Sequence, residues 1–239
     1  MMELTEDSIL NGAIKLLQPK NGYRVAIDPI ILASFIKLEA HQRILDVGCG
    51  VGTIALILKK REYSAELTAL DMDAEMCKIC EQNSRINSLP LDIENVIVEN
   101  HTILRKKPFD QIVTNPPFFQ KESFRTSESK KWANVETIDL SNWIRCCFLA
   151  LKNSGIFSMI HRASRLNEIL SALGGIGSIQ VVPIYPKSNR EANRVIVQVV
   201  KSRKSEMKIL PGIVAHRNNG DYTDTLLQML SGSYYEFIK

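Results

Sequence analysis

The sequence predicts an α/β fold built on a mostly parallel, doubly wound sheet, and three observations predict it. Short apolar runs alternate with helical stretches from residue 41 to residue 200, the pattern of successive βα units. One of those runs, Ile44-Leu45-Asp46-Val47, enters the turn Gly48-Cys49-Gly50-Val51-Gly52. Another, Ile112-Val113-Thr114, runs straight into Asn115-Pro116-Pro117-Phe118-Phe119. Open α/β sheets bind ligands at the carboxyl ends of their strands, so both interruptions fall where a site is expected.

The elements follow in order. Residues 1 to 40 are expected to be a helical extension. In it Asp7-Ser8 caps a first helix carrying Ile9, Leu10, Ile14, Leu16 and Leu17, and Pro29 opens a second over Ile30 to Leu38. Strand one is Arg43 to Val47, followed by a helix from Thr53 to Lys60. Strand two is Leu67 to Asp71, followed by a helix from Ala74 to Asn87. Strand three is Asn95 to Glu99 and strand four Gln111 to Thr114. A helix from Leu140 to Leu151 stops near Asn153-Ser154-Gly155, and strand five is Ile156 to Ile160. The helix Leu166 to Leu173 ends at Gly174-Gly175. Ile179 to Tyr185 and Arg194 to Val200 then form a closing hairpin, for seven strands in all. Residues 201 to 239 form a tail. No repeat or low-complexity linker divides the chain, so 239 residues are read as one domain.

Composition bounds the function. A net charge of +4 is compatible with RNA without specifying it. No apolar run approaches the ~20 residues of a membrane span, and the acidic start Met1-Met2-Glu3-Leu4 lacks a signal-peptide core, so a cytoplasmic protein is expected. The five cysteines have no framework spacing. Cys77 and Cys80 are three apart within a helix and read as packed thiols, as do Cys146 and Cys147. The four histidines are scattered, and no metal site is expected.

The chemistry lies in the two interruptions. Glycines admit positive φ and let a ligand approach the backbone. Their spacing is G-x-G-x-G, unlike the G-x-G-x-x-G of dinucleotide enzymes. Asp71 ends strand two, where a carboxylate can accept from both hydroxyls of a ribose. After Thr114 two prolines remove two backbone donors and stiffen the turn. Asn115 offers one acceptor and two donors, and Phe118 a flat apolar face. Together they suit a planar group bearing an amino substituent, such as a nucleobase.

Asp46-Val47-Gly48-Cys49-Gly50-Val51-Gly52 resembles the first motif of class I, Rossmann-like S-adenosylmethionine-dependent methyltransferases, and Asn115-Pro116-Pro117-Phe118 resembles their amino-methylating motif. Leu4-Thr5-Glu6-Asp7 through Gln18-Pro19, Gly22-Tyr23-Arg24, Asp28 to Leu32, Leu210 to His216 and Asp221-Tyr222-Thr223 are similar to the family that methylates an adenosine amino group in valine tRNA. The resemblance implies S-adenosylmethionine as cofactor, held by Asp46, Gly48, Cys49, Gly50, Gly52, Asp71, Met72, Asn100 and Asn115. Asn100 stands where similar enzymes carry Asp to accept from the adenine amino group. It implies that Asn115 and the Pro116 carbonyl accept the two hydrogens of the target amine, with Pro117 shaping the turn and Phe118 stacking on the base. It implies tRNA as partner, and an antiparallel strand inserted at the end of the sheet. Lys121, Arg125, Lys130, Lys131 and Trp132 follow the motif in a polar stretch that is either an exposed connection or an RNA-binding lid. Arg24 and Asp28 either border the site or form structural ion pairs. Lys201, Arg203, Lys204 and Lys208 read as a solvated strand end.

The Asn-Pro-Pro-aromatic chemistry by itself also serves glutamine amides of proteins and guanine amino groups of ribosomal RNA. A binding protein on the same scaffold, without catalysis, is the remaining alternative.

Overall fold

A computed structural model of the chain describes residues 2–21, 24–98, 107–116 and 139–236. An N-terminal hairpin of β1 (Leu4–Ile9) and β2 (Ile14–Pro19) is followed by α1 (Asp28–Phe35), β3 (Arg43–Val47), α2 (Thr53–Arg61), β4 (Glu66–Asp71) and α3 (Ala74–Ile86). Next come β5 (Asp92–Asn95), β6 (Phe109–Thr114), α4 (Leu140–Ala150), β7 (Leu151–Arg162) and α5 (Leu166–Leu173). The chain closes with β8 (Gly177–Tyr185), β9 (Arg194–Lys201), β10 (Lys208–Ile209), β11 (Ile213–Val214) and α6 (Asp224–Leu230).

The main sheet runs β10-β8-β9-β7-β6-β3-β4-β5, with β11 also paired to β8. β5, β4, β3, β6 and β7 are mutually parallel, and β9 runs antiparallel between β7 and β8. The seven expected strands and the inserted antiparallel strand are all present. The correction is in the tail, where β10 and β11 extend the sheet to nine strands.

Both faces of this sheet are covered, and the two-residue period of the strands explains how. Ile44, Val113, Ile160 and Ile196 join one core with α1, α2 and α6. Their chain neighbours Leu45, Ile112, Met159 and Val197 join the other core with α4 and α5. α6 is tied to α1 through the buried Ser34, which donates to Met229 O at 2.7 Å and accepts from Tyr235 N at 2.9 Å through its carbonyl.

The helical extension expected before residue 20 is instead the hairpin β1–β2. Asn11-Gly12 between apolar stretches is the signal that outranks the Asp7-Ser8 cap. Leu10, Asn11 and Gly12 are all left-handed, with φ of 53°, 54° and 86°. Asp7 then accepts across the strands from Gln18 Nε2. The second helix does open around Pro29 but spans Asp28–Phe35. Strand three is Asp92–Asn95, upstream of the Asn95–Glu99 expected. α4 ends at Ala150 and β7 begins at once. Asn153-Ser154-Gly155 is an irregularity inside that strand, with Ser154 at φ 61°, and not a helix stop.

The hairpin docks on α3 by imitating a sheet edge. Leu17 N donates to Asn83 Oδ1 at 2.7 Å, and Asn83 Nδ2 donates back to Leu17 O at 3.0 Å. One turn on, Asn87 makes the same exchange with Lys15, at 2.9 and 2.7 Å. Asn83 also donates to Val51 O at 3.0 Å, so it joins the hairpin to the glycine turn. Asn83→Ala leaves those backbone groups unpaired in the interior. It is expected to lower the unfolding free energy by about 1–3 kcal/mol in urea denaturation. An unchanged denaturation midpoint would show that apolar packing alone holds the hairpin.

Candidate active site

β3 and β6 lie side by side, with Val47 in register with Thr114. At their carboxyl ends β3 continues into the glycine turn and α2, and β6 into Asn115-Pro116. The expected site residues Asp46, Gly48, Cys49, Gly50, Gly52, Asp71, Asn115 and Pro116 are thereby gathered at one end of three adjacent strands.

The turn is wired to β4. Gly48 N and Cys49 N both donate to Leu70 O, at 2.8 and 3.0 Å. Gly50 N donates to Asp71 Oδ2 at 2.8 Å, and Asp73 N to Asp71 Oδ1 at 2.9 Å. Gly50 has φ 53°, and a Cβ there would meet nothing within 4 Å, so the turn presents bare backbone to open space. Gly52, at φ 90°, is glycine for a different reason: a Cβ would stand 2.5 Å from Cys80 Sγ. Met72, next to Asp71, is exposed.

Two carboxylates here are held above the ordinary carboxylate pKa by burial. Asp46 is fully buried and accepts from Ala55 N at 3.1 Å through Oδ2. Its Oδ1 is buried without a hydrogen-bond partner among the described residues. Burial raises its pKa from the ordinary 3.8 to about 7; the Ala55 bond opposes the rise and the neighbouring Asp71 adds to it. Burial likewise raises Asp71, against the bonds from Asp73 and Gly50. At the end of β6, Asn115 is half-buried, and its Oδ1 is also buried and without a partner among the described residues. Buried acceptors normally have donors, which makes this Asn oxygen beside the glycine turn a candidate acceptor for a ligand's N–H.

Trp143, in the first turn of α4, was not among the expected site residues. Its Nε1 donates to Thr114 Oγ1 at 3.1 Å, and its ring edge lies 3.1 Å from where a Cβ on Gly48 would stand. Helical periodicity assigns Trp143 to a core; nothing local to it points at the glycine turn.

Other expected residues separate from the site or pair within the protein. Arg24 pairs with Asp7 and donates to Thr5 Oγ1 at 2.9 Å. Asp28 accepts from Arg194 at 2.7 Å, tying α1 to β9. Lys201 is in register with Gly177, at the end of the sheet opposite the glycine turn, and donates to Phe148 O and Leu151 O. The five cysteines are all buried thiols. Cys49 is pushed well above its ordinary pKa, first by its contact with Cys80 and then by burial. Pro117, Phe118, Asn100, Lys121, Arg125, Lys130, Lys131 and Trp132 lie outside the described residues. Among the described residues no helix is long and apolar enough to cross a membrane, and no group of three His, Cys, Asp or Glu could hold a metal.

Comparison with known proteins identifies the family. Residues 26–133 match the model of the methyltransferase small domain. A protein of Glaesserella parasuis named tRNA1(Val) (adenine(37)-N6)-methyltransferase is 30% identical over 183 residues, 73% of this chain and 75% of that protein. The chain belongs to the tRNA1(Val) (adenine(37)-N6)-methyltransferase family. A Shewanella baltica protein of the same name is 25% identical over 227 residues, 90% of this chain and 94% of that protein. In fold, the chain is similar to a structure described as a predicted O-methyltransferase from Agrobacterium tumefaciens. The TM-score is 0.71 at 20% identity, over 87% of this chain and 98% of that one. It is also similar to a T. thermophilus 16S rRNA N2 methyltransferase in complex with AdoMet and guanosine, with TM-score 0.61 at 17% identity, over 84% and 51% of the two chains. The fold is thus that of the Rossmann-like class I methyltransferases, and membership of this family makes the chain an enzyme. The non-catalytic binding protein considered from sequence is set aside.

The raised pKa of Asp46 has a consequence for stability. Between pH about 4 and about 7 the folded protein keeps a proton on Asp46 that the unfolded chain has lost. This group's contribution therefore declines as pH rises through that window, by up to about 1.4 kcal/mol per pH unit, and levels off above it. Asp46→Asn retains an acceptor for Ala55 and removes the titration. The stability difference between variant and wild type should grow in the variant's favour from pH 4 to pH 7 in urea titrations. A pH-independent difference would show that Asp46 is not protonated in the fold.

Proposed function

We propose that this enzyme transfers a methyl group from S-adenosylmethionine to the exocyclic N6 of an adenosine in tRNA, at the crevice between β3 and β6. The names of its relatives support the acceptor, adenine 37 of tRNA1(Val). The observation that carries the site is the buried Oδ1 of Asn115, which has no partner among the described residues, beside the glycine turn.

The residues present suit the cofactor. The open backbone at Gly50 leaves room for a ligand against the turn. Each Asp71 oxygen accepts one backbone N–H, which leaves lone pairs for ribose hydroxyls. Two neighbouring carboxylates whose pKa values burial raises favour a cationic ligand, whose charge offsets the cost of burying their anions. When bound, S-adenosylmethionine supplies a methyl group on a positively charged sulfur. Gly48, Cys49, Gly50 and Gly52 would line the methionine end, Asp71 and Met72 the ribose, and Asn100 the adenine.

The chain's own contribution to the reaction is positioning. An exocyclic amine donates its lone pair into the ring and is a weak nucleophile. Asn115 Oδ1 and the Pro116 carbonyl accept its two hydrogens, which favours a tetrahedral nitrogen and directs the lone pair out of the ring plane. Phe118 stacks on the extruded base, a contact worth ~1–3 kcal/mol. Alignment of this kind supplies ~7–11 kcal/mol of a barrier. A prior general base is unnecessary, because the nitrogen turns acidic only as its fourth bond forms.

Incubation with labelled S-adenosylmethionine and unmodified tRNA, followed by nucleoside analysis, is expected to yield N6-methyladenosine. Label in methylguanosine or methylglutamine instead would transfer the assignment to one of the other amino acceptors. Asn115→Ala is expected to lower kcat by about 10²–10³-fold, as loss of a transition-state hydrogen bond does, with cofactor Kd nearly unchanged. Near-full turnover by that variant would remove Asn115 from the site.

A further inference from the structure

Trp143 and Thr114 form a buried strut between the two halves of the crevice. Thr114 is fully buried, and its Oγ1 donates to Val47 O at 2.8 Å while accepting from Trp143 Nε1 at 3.1 Å. Val47 is the last residue of β3 and precedes Gly48; Thr114 is the last residue of β6 and precedes Asn115. The hydroxyl therefore pins the two strand ends at the residues from which the glycine turn and the amine acceptor spring. The Trp143 ring reaches past this hydroxyl to Gly48, where Cζ2 and Cη2 both stand 3.1 Å from the position of an added Cβ. Gly48 sits at φ 73°, a left-handed conformation that favours glycine, and a Cβ there would press on the ring tightly enough to displace it by a few tenths of an ångström.

Three features separate this strut from ordinary core packing. Parallel β3 and β6 are already joined by their ladder, yet a side-chain bond is added at the last register pair, Val47 with Thr114. The added bond is closed: hydroxyl proton to Val47, hydroxyl lone pair to Trp143, with no alternative partner needed. The indole spans both motifs at once, its N–H on the β6 side and its benzo edge on the β3 side.

We propose that Trp143 and Thr114 are positioning residues that set the separation between the glycine turn and Asn115, and so the approach of the target amine to the methyl donor. This rests on the reading of Asn115 as amine acceptor. Neither residue touches substrate; each acts through its neighbour, Thr114 through Asn115 and Trp143 through Gly48. Displacement of a reacting group by an ångström can cost about a hundredfold in rate, so loss of the strut should be read in kcat before it is read in binding.

Thr114→Val removes both hydrogen bonds at nearly constant volume, and Thr114→Ser restores the hydroxyl. With tRNA and S-adenosylmethionine both saturating, Thr114→Val is expected to lower kcat by roughly ten- to a hundredfold. KM for tRNA and Kd for the cofactor should change little, and Thr114→Ser should recover most of the turnover. Trp143→Phe, which loses the N–H and the edge against Gly48, is expected to lower kcat and also weaken cofactor binding several-fold by calorimetry. Each variant is assayed well below its own unfolding temperature, so that a destabilised but folded enzyme is still compared at full occupancy. Wild-type turnover by a folded Thr114→Val would overturn the proposal, as would a Thr114→Ser variant no better than Thr114→Val. Absence of methyl transfer to tRNA by the wild type would count against the function itself, a result these variants cannot produce.

Discussion

The organisation of this enzyme depends on one topological constraint, the divergence of the chain at the carboxyl ends of β3 and β6. The two strands are hydrogen-bonded neighbours, but α2 leaves toward the core shared with α1 and α6, while α4 returns in the core of the opposite face. The change of face falls between the glycine turn and Asn115, the place where open α/β sheets bind their ligands.

Hydrogen bonding at the carboxyl ends of β3 and β6 is incompletely satisfied among the described residues. Ser34, Thr114 and Asn83 are buried polar side chains whose partners are all supplied by the protein. Asp46 and Asn115, by contrast, each keep a buried oxygen without a partner among the described residues. Open acceptors are tolerated where a ligand completes them. The two carboxylates beside the glycine turn are raised chiefly by that same burial.

The walls are braced from a distance. Asn83 links α3, the N-terminal hairpin and Val51 of the glycine turn, so the hairpin bears on that turn although it is far from it in sequence. The tail joins the same core as the hairpin, with β11 paired to β8 and α6 secured to α1 through Ser34. Segments that precede and follow the sheet in sequence are therefore structural parts of the same body.

Much of this was legible in the sequence. Alternating apolar runs and helices determined the parallel sheet, the glycine spacing determined the turn, and Asn115-Pro116-Pro117 determined where β6 stops. These are local matters of backbone sterics and burial period, which a short stretch of residues carries by itself. The hairpin was legible too, in Asn11-Gly12, but a weaker capping signal at Asp7-Ser8 competes with it over the same apolar residues. What only the tertiary structure decided were the long-range contacts: Trp143 against Gly48, Asn83 in place of a strand partner, Cys80 against Gly52, and the assignment of Arg24 and Asp28 to ion pairs. Periodicity says that Trp143 and Asn83 are buried, since burial depends on the face of one helix. It cannot say what they touch, because that depends on how separate elements close over one another.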